Sequence, residues 1–239
     1  MEQEQNTNPE VKKLNISTPA AIITAGVLIA VALIFSGKGN DIIKKPSTNE
    51  NVTETKPVEP VSLRQDDHVF GDLNKAEVVI VEYSDSDCPF CQRFHQSMKD
   101  VIKDYGTKVA WVYRYFPLSI HANAGNEAIA LECSAELGGN DVFWKYLDEV
   151  IEITVSPEKS ANILTSTAVR LGLDEKLFSK CLTSQSVAKK IADQSAEAQA
   201  LGARGTPYSI VINKKNEQVA IPGAYPIEEI KKIIDGLMK

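Results

Sequence analysis

Cysteine is scarce in this chain of 239 residues: there are four, and none precedes Cys88. Lipoprotein processing, which needs a cysteine just behind an N-terminal apolar run, is thereby excluded. Histidine is scarcer still, with His68, His95 and His121 showing no paired ligand spacing, and no second C-x-x-C accompanies the first. A structural zinc site needs four donors, so these absences weigh against one and no metal is expected. Basic residues are not in excess: 26 Lys and Arg face 32 Asp and Glu, a net charge of −6. That balance argues against a nucleic-acid partner and gives no sign of a patch for anionic lipid.

What is present is concentrated at Cys88-Pro89-Phe90-Cys91. The run 77–83 before it, Glu-Val-Val-Ile-Val-Glu-Tyr, reads as a buried strand, while Phe94, Met98, Val101, Ile102 and Tyr105 recur at helical spacing after it. Cys88 therefore stands at a helix N-terminus, where unpaired backbone N–H groups and the helix dipole favour thiolate over thiol. Cys91, one turn on, is placed to resolve a mixed disulfide. Two zinc ligands or an inert structural disulfide are the alternatives, and a reversible dithiol pair is the reading these residues support best.

The first long apolar segment lies elsewhere. Residues 20–35 carry no charge, and with their neighbours they form an uncharged stretch over 17–37. At about 1.5 Å per residue it spans about 30 Å, enough for a bilayer core. A cleaved signal peptide is the rival, but Ile34-Phe35-Ser36 places a bulky residue where a small one is needed. The expected organisation is a cytoplasmic tail over 1–17, a single transmembrane signal anchor over 18–37, a flexible linker over 38–64 and a folded domain over 65–239. Lysines flank the apolar run on both sides, so the positive-inside count does not orient it; a redox motif suits the oxidising side. The linker holds Pro46, Pro57 and Pro60 and few apolar residues, and as a coil it would reach roughly 25 to 30 Å.

Within the domain the pattern predicts strand 77–83, helix 88–105 and strand 108–116, a unit that normally makes a parallel crossover. Helical periodicity then predicts segments at 122–137, 142–151, 157–171, 175–182 and 186–201, with Gly138-Gly139, Gly172 and Gly202 as stops. A hairpin over 208–213 and 217–221 and a helix over 226–237 close the chain. Such an α/β order, with C-x-x-C at its first strand–helix junction, reads as a thioredoxin-like fold carrying a helical insertion at about 119–205.

Three stretches, Glu82-Tyr83-Ser84-Asp85-Ser86-Asp87-Cys88-Pro89-Phe90-Cys91, Tyr115-Phe116-Pro117-Leu118 and Leu201-Gly202-Ala203-Arg204-Gly205-Thr206-Pro207, together resemble the DsbA family of thiol:disulfide oxidoreductases, particularly its membrane-anchored bacterial members. The resemblance implies that Cys88 is the attacking cysteine, Cys91 its partner, and Pro207 a proline whose preceding bond is cis, so that Thr206 and Pro207 bind an extended substrate strand. It also implies an acidic residue beneath the disulfide, Glu82, whose burial would raise its pKa and suit it to move a proton to or from Cys91. A strand-end glutamate facing solvent is the alternative.

The departures are informative. The best-known oxidising members have Pro-His between the cysteines, whereas Phe90 offers no donor, and Asp85 and Asp87 place negative charge ahead of Cys88. Arg93 and His95 are candidates to offset it, although His95 also fits a surface histidine on the polar face of Gln92, Gln96, Lys99 and Lys103. Cys133 and Cys181 both point inward on their helices; they fit core residues or, as in some relatives, a structural disulfide across the insertion.

By resemblance, the implied function is a membrane-tethered oxidase acting on reduced or unfolded polypeptides on the extracytoplasmic side, with no cofactor of its own. Its implied partner is a membrane quinone-linked reoxidase of the DsbB or VKOR kind. A reductase or isomerase of the same fold, or a non-catalytic tethered polypeptide-binding module, are the alternatives.

Overall fold

The computed structural model of the protein describes residues 60–153 and 161–239. The expected tail and anchor, most of the expected linker and the start of the 157–171 helix lie outside the described residues. Among those described, no helix is long and apolar enough to cross a membrane.

Five strands form one sheet: β1 (His68–Phe70), β2 (Val78–Ser84), β3 (Val109–Tyr115), β4 (Tyr208–Asn213) and β5 (Gln218–Pro222), in the order β1-β3-β2-β4-β5. β2 pairs with β3 in parallel and with β4 antiparallel, while β1 and β5 close the edges antiparallel. Every residue of β2, β3 and β4 is buried. That is why they read as continuous runs rather than as alternating patterns: layers cover both faces of the sheet.

Alternation still decides which layer each side chain meets. Val78 and Ile80 face the larger core, with Phe94 and Met98 of α1 (Pro89–Tyr105) and Ile230 and Ile234 of α6 (Ile227–Leu237). Val79, Val81 and Tyr83 face the smaller one, with Ala198 of α5 (Gln185–Ala200). Between β3 and β4 lies the helical block of α2 (Ala124–Ile153), α3 (Ala161–Arg170), α4 (Glu175–Cys181) and α5. Asp174 and Ser184 cap α4 and α5 by accepting from the amides of Leu177 and Val187. α2 covers both helices expected at 122–137 and 142–151, kinked at Gly139, whose φ of 76° favours glycine. A side chain on Gly138 would collide with Val142.

Two expectations need correction. The folded unit is already ordered at Val61, ahead of the boundary at 65: Val61 is buried and exchanges two hydrogen bonds with the amide of Gln218. The short β1 was not anticipated, because three residues are too few to show a period.

Candidate active site

The site is built where β2 ends and α1 begins. Cys88 is the N-cap of α1, with extended φ and ψ of −83° and 121° and no side-chain cap. Pro89 fits the first helical turn because no hydrogen bond is needed from its nitrogen. The turn before it is held by Cys88 N donating to the Asp85 carbonyl at 3.0 Å. Cys88 and Cys91 are both unbridged and buried.

Their environments differ in sign. The Cys88 thiol is pushed down to about 5, first by a hydrogen bond from Cys91, against the effect of burial. The Thr206 side chain and the amides of Cys91 and Phe90 add to the shift. The helix N-terminus thus contributes, and the neighbouring thiol contributes more. Cys91 is pushed well up by burial, by its role as donor to Cys88 and by the charge of Glu82. One sulfur is therefore a nucleophile and leaving group at neutral pH while the other keeps its proton.

Glu82 lies beneath the pair, only 1% exposed, which removes the solvent-facing alternative. Burial raises its carboxyl to about 7, against hydrogen bonds from Ser84 and from the Trp111 indole. Trp111 Nε1 donates to Glu82 Oε2 at 2.8 Å, a partner the sequence reading did not find, since Trp111 is 29 residues away on the neighbouring strand. A carboxyl near 7 beside a buried thiol can accept and return that thiol's proton.

The third segment arrives from before β4. The Thr206–Pro207 peptide bond is cis. It brings the Thr206 carbonyl within 3.5 Å of Cys88 Sγ, which donates to it in the thiol form. Behind it a cavity of about 310 Å³ runs between Arg204, Gly205, Pro207 and Tyr208 on one side and Pro222 and Gly223 on the other. Phe90 is exposed beside the cysteines.

His95 is not a surface histidine. It is 2% exposed, lies 5.0 Å from the Trp111 ring centroid and has Nε2 2.7 Å from Asp148 Oδ1. Its position on α1 faces the larger core, because Phe94 and Met98 on either side set the buried face of the helix. Arg93 stacks over the Phe90 ring at 4.6 Å. The basic side chain that meets the acidic turn is instead His121, whose Nδ1 lies 2.7 Å from Asp85 Oδ2. Nothing in its local pattern marked it: it stands in an irregular loop whose position only the fold settles.

Cys133 and Cys181 lie away from this site and are joined in a disulfide linking α2 to α4, with a Cα separation of 5.7 Å. Among the described residues no group of three or more His, Cys, Asp or Glu is arranged to hold a metal ion.

A family model described as thioredoxin matches residues 64–236. Among solved structures, α-DsbA1 of Wolbachia pipientis is similar at a TM-score of 0.65 and 19% identity, over 74% of this chain and 92% of that one. DsbA2 of Pseudomonas aeruginosa is similar at 0.60 and 22%, over 74% and 97%. Among curated proteins, the Na(+)/H(+) antiporter NhaA 3 of Salinispora tropica is 31% identical over 74% of this chain, and NhaA 1 of Mycolicibacterium vanbaalenii is 32% identical over 64%. The chain spans about a quarter of the length of these antiporters: 25% and 24%.

Proposed function

The chain belongs to the thioredoxin family, in the DsbA form of its fold, and from that premise we propose that it is a membrane-tethered oxidase that passes the Cys88–Cys91 disulfide to reduced polypeptides outside the cytoplasm. The observation that carries this reading is the placement of Cys88 at the N-terminus of α1, 3.5 Å from the Thr206 carbonyl, with Cys91 buried one turn behind it, which lowers the Cys88 thiol and raises that of Cys91. A couple whose reduced form is stabilised as a thiolate holds its disulfide weakly and gives it away readily.

Exchange proceeds in two displacements. A substrate thiolate attacks Cys88 Sγ, the Cys88–Cys91 bond breaks, and the departing Cys91 sulfur takes a proton, for which Glu82 is the nearest donor of suitable pKa. A second substrate thiolate attacks the mixed disulfide at the substrate's own sulfur, and Cys88 leaves as a stable thiolate. The substrate strand lies across the backbone at Thr206–Pro207 and along the adjoining cavity.

Two electrons remain on the enzyme after each turnover, so an external oxidant is required. A quinone-linked reoxidase of the DsbB or VKOR kind is the proposed source. Support for the compartment comes from the uncharged run over 17–37 and from the disulfide at Cys133–Cys181, a bond that persists in oxidising surroundings. Sodium–proton exchange is the named activity of the longer antiporters and is not assigned to this chain.

The test is oxidation of a reduced, unfolded protein by the disulfide form, with the equilibrium against glutathione measured in parallel. Native protein is expected to form disulfides stoichiometrically and Cys88→Ala to form none. Activity surviving Cys88→Ala would refute the assigned nucleophile, and a couple as reducing as structural disulfides, below about −300 mV, would turn the reading to a reductase.

A further inference from the structure

The turn ahead of Cys88 carries two carboxylates, and both are fastened to the loop that follows β3. Asp85 Oδ2 accepts from the Leu118 amide at 2.9 Å and lies 2.7 Å from His121 Nδ1; Asp87 Oδ2 accepts from the Asn123 amide at 2.9 Å. The Asp85 side chain is fully buried and that of His121 is 18% exposed. Phe90 supplies no charge and Arg93 is turned over the Phe90 ring. His121 is thus the imidazole that faces this acidic turn.

The charged groups acting on it are Asp85, Cys88 and Asp87, all negative, and together they hold its pKa above the ordinary value, with the Asp85 hydrogen bond the leading favourable cause against burial. Asp85 and Asp87 belong to the turn in either redox state of Cys88. The third charge exists only while Cys88 is a thiolate. Formation of a disulfide at Cys88 removes one negative charge from the surroundings of His121 and leaves the carboxylates in place, so its hold on a proton must weaken.

Resting on the exchange reaction proposed above, we propose that His121 is a charge-compensating positioning residue: held by Asp85, it binds its proton more tightly while Cys88 is a thiolate than while Cys88 is in a disulfide. The step balances as follows. A substrate dithiol loses two electrons and two protons as its disulfide forms; the electrons break the Cys88–Cys91 bond. One proton finishes on Cys91 Sγ and the other is divided between His121 Nε2 and solvent water, while Cys88 remains a thiolate. Dithiol and disulfide at the start, and disulfide, thiolate, thiol and the released proton at the end, carry the same total charge.

The experiment is an NMR titration of the histidine side chains in the full chain, once as the disulfide and once reduced; with three histidines the His121 resonances are assigned by comparison with His121→Gln. His121 is expected to titrate about half a pH unit or more higher in the reduced protein. In His121→Gln the Cys88 thiolate absorbance is expected to shift to higher pH by a similar amount, and Asp85→Asn combined with His121→Gln is expected to bring it back toward the native value. An identical His121 midpoint in both redox states, with disulfide exchange intact, would overturn this proposal and leave the oxidase reading standing. Failure of the Cys88–Cys91 pair to exchange at all would overturn both.

Discussion

Trp111 Nε1 lies 2.8 Å from Glu82 Oε2, so the buried carboxylate under the cysteines is held by an indole rather than by a cation. A neutral donor orients the carboxyl without forcing it to ionise, and burial raises it from 4.5 to about 7. Because the folded carboxyl holds its proton more tightly than the unfolded one, ionising it opposes folding: the penalty is absent below about 4.5, grows as pH rises and is complete above about 7. In the reduced protein Glu82→Gln is therefore expected to be more stable than native by about 3 kcal/mol at pH 8 and to show no gain at pH 4. Urea denaturation at the two pH values decides it; equal gains at both would show that burial of the charge is not the cause.

Cys88 shifts the other way. Its folded thiol is lowered from 9.0 to about 5, so the reduced protein gains stability as pH rises above about 5, until the unfolded thiol also ionises near 9. Absorbance of the thiolate near 240 nm is expected to rise with a midpoint close to 5, with Cys91 silent to pH 9. The stability of the reduced form relative to the disulfide form should increase across the same window and should lose that slope in Cys88→Ser. A midpoint near 8.5 would contradict the assigned environment.

The Cys133–Cys181 bond closes a loop with a sequence separation of 48. On chain entropy alone its removal is expected to cost about 4 kcal/mol. Replacing both cysteines by alanine should lower the urea midpoint accordingly and leave the Cys88 titration unchanged, since the bond lies away from the site. Loss of the low Cys88 midpoint in that variant would show that the two are linked.

Arg114 is wholly buried on β3 and donates to both oxygens of Asp67 at 2.8 and 2.9 Å, to the Tyr83 hydroxyl at 3.0 Å and to the Ser62 carbonyl at 2.7 Å. It ties the entry of the chain into the domain to the middle of the sheet. Arg114→Met removes the cation from a buried Asp67 and leaves it only the Arg64 amide as donor, and a loss of about 3 to 5 kcal/mol is expected by denaturation. Replacing Asp67 by Leu in the same chain should recover most of it; a double variant as unstable as the single would assign the loss to the other partners.

Much of this was open to reading in one dimension, and the particular residues show why. The runs at 77–83 and 108–116 announced strands because burial on both faces forces continuous apolar side chains, and the 3.6-residue rhythm of Phe94, Met98 and Val101 announced the helix that presents Cys88. Glycine marked the breaks at Gly139, Gly172 and Gly202 because each adopts positive φ. The same rhythm misread His95: polar neighbours suggested an exposed face, yet the residue lies at its edge, where α2 supplies Asp148 and β3 supplies Trp111.

The linear order of residues determined the strand–helix junction at Cys88, the spacing of Cys91 from it and the nature of the helical block, because these depend on local periodicity and on neighbours within a few positions. Only the tertiary structure decided the partners that set the chemistry: Trp111 on Glu82, Thr206 on Cys88, and His121 on Asp85. Each of those contacts joins segments 29 to 118 residues apart, and electrostatic interaction depends on distance and burial in space, which position along the chain does not encode.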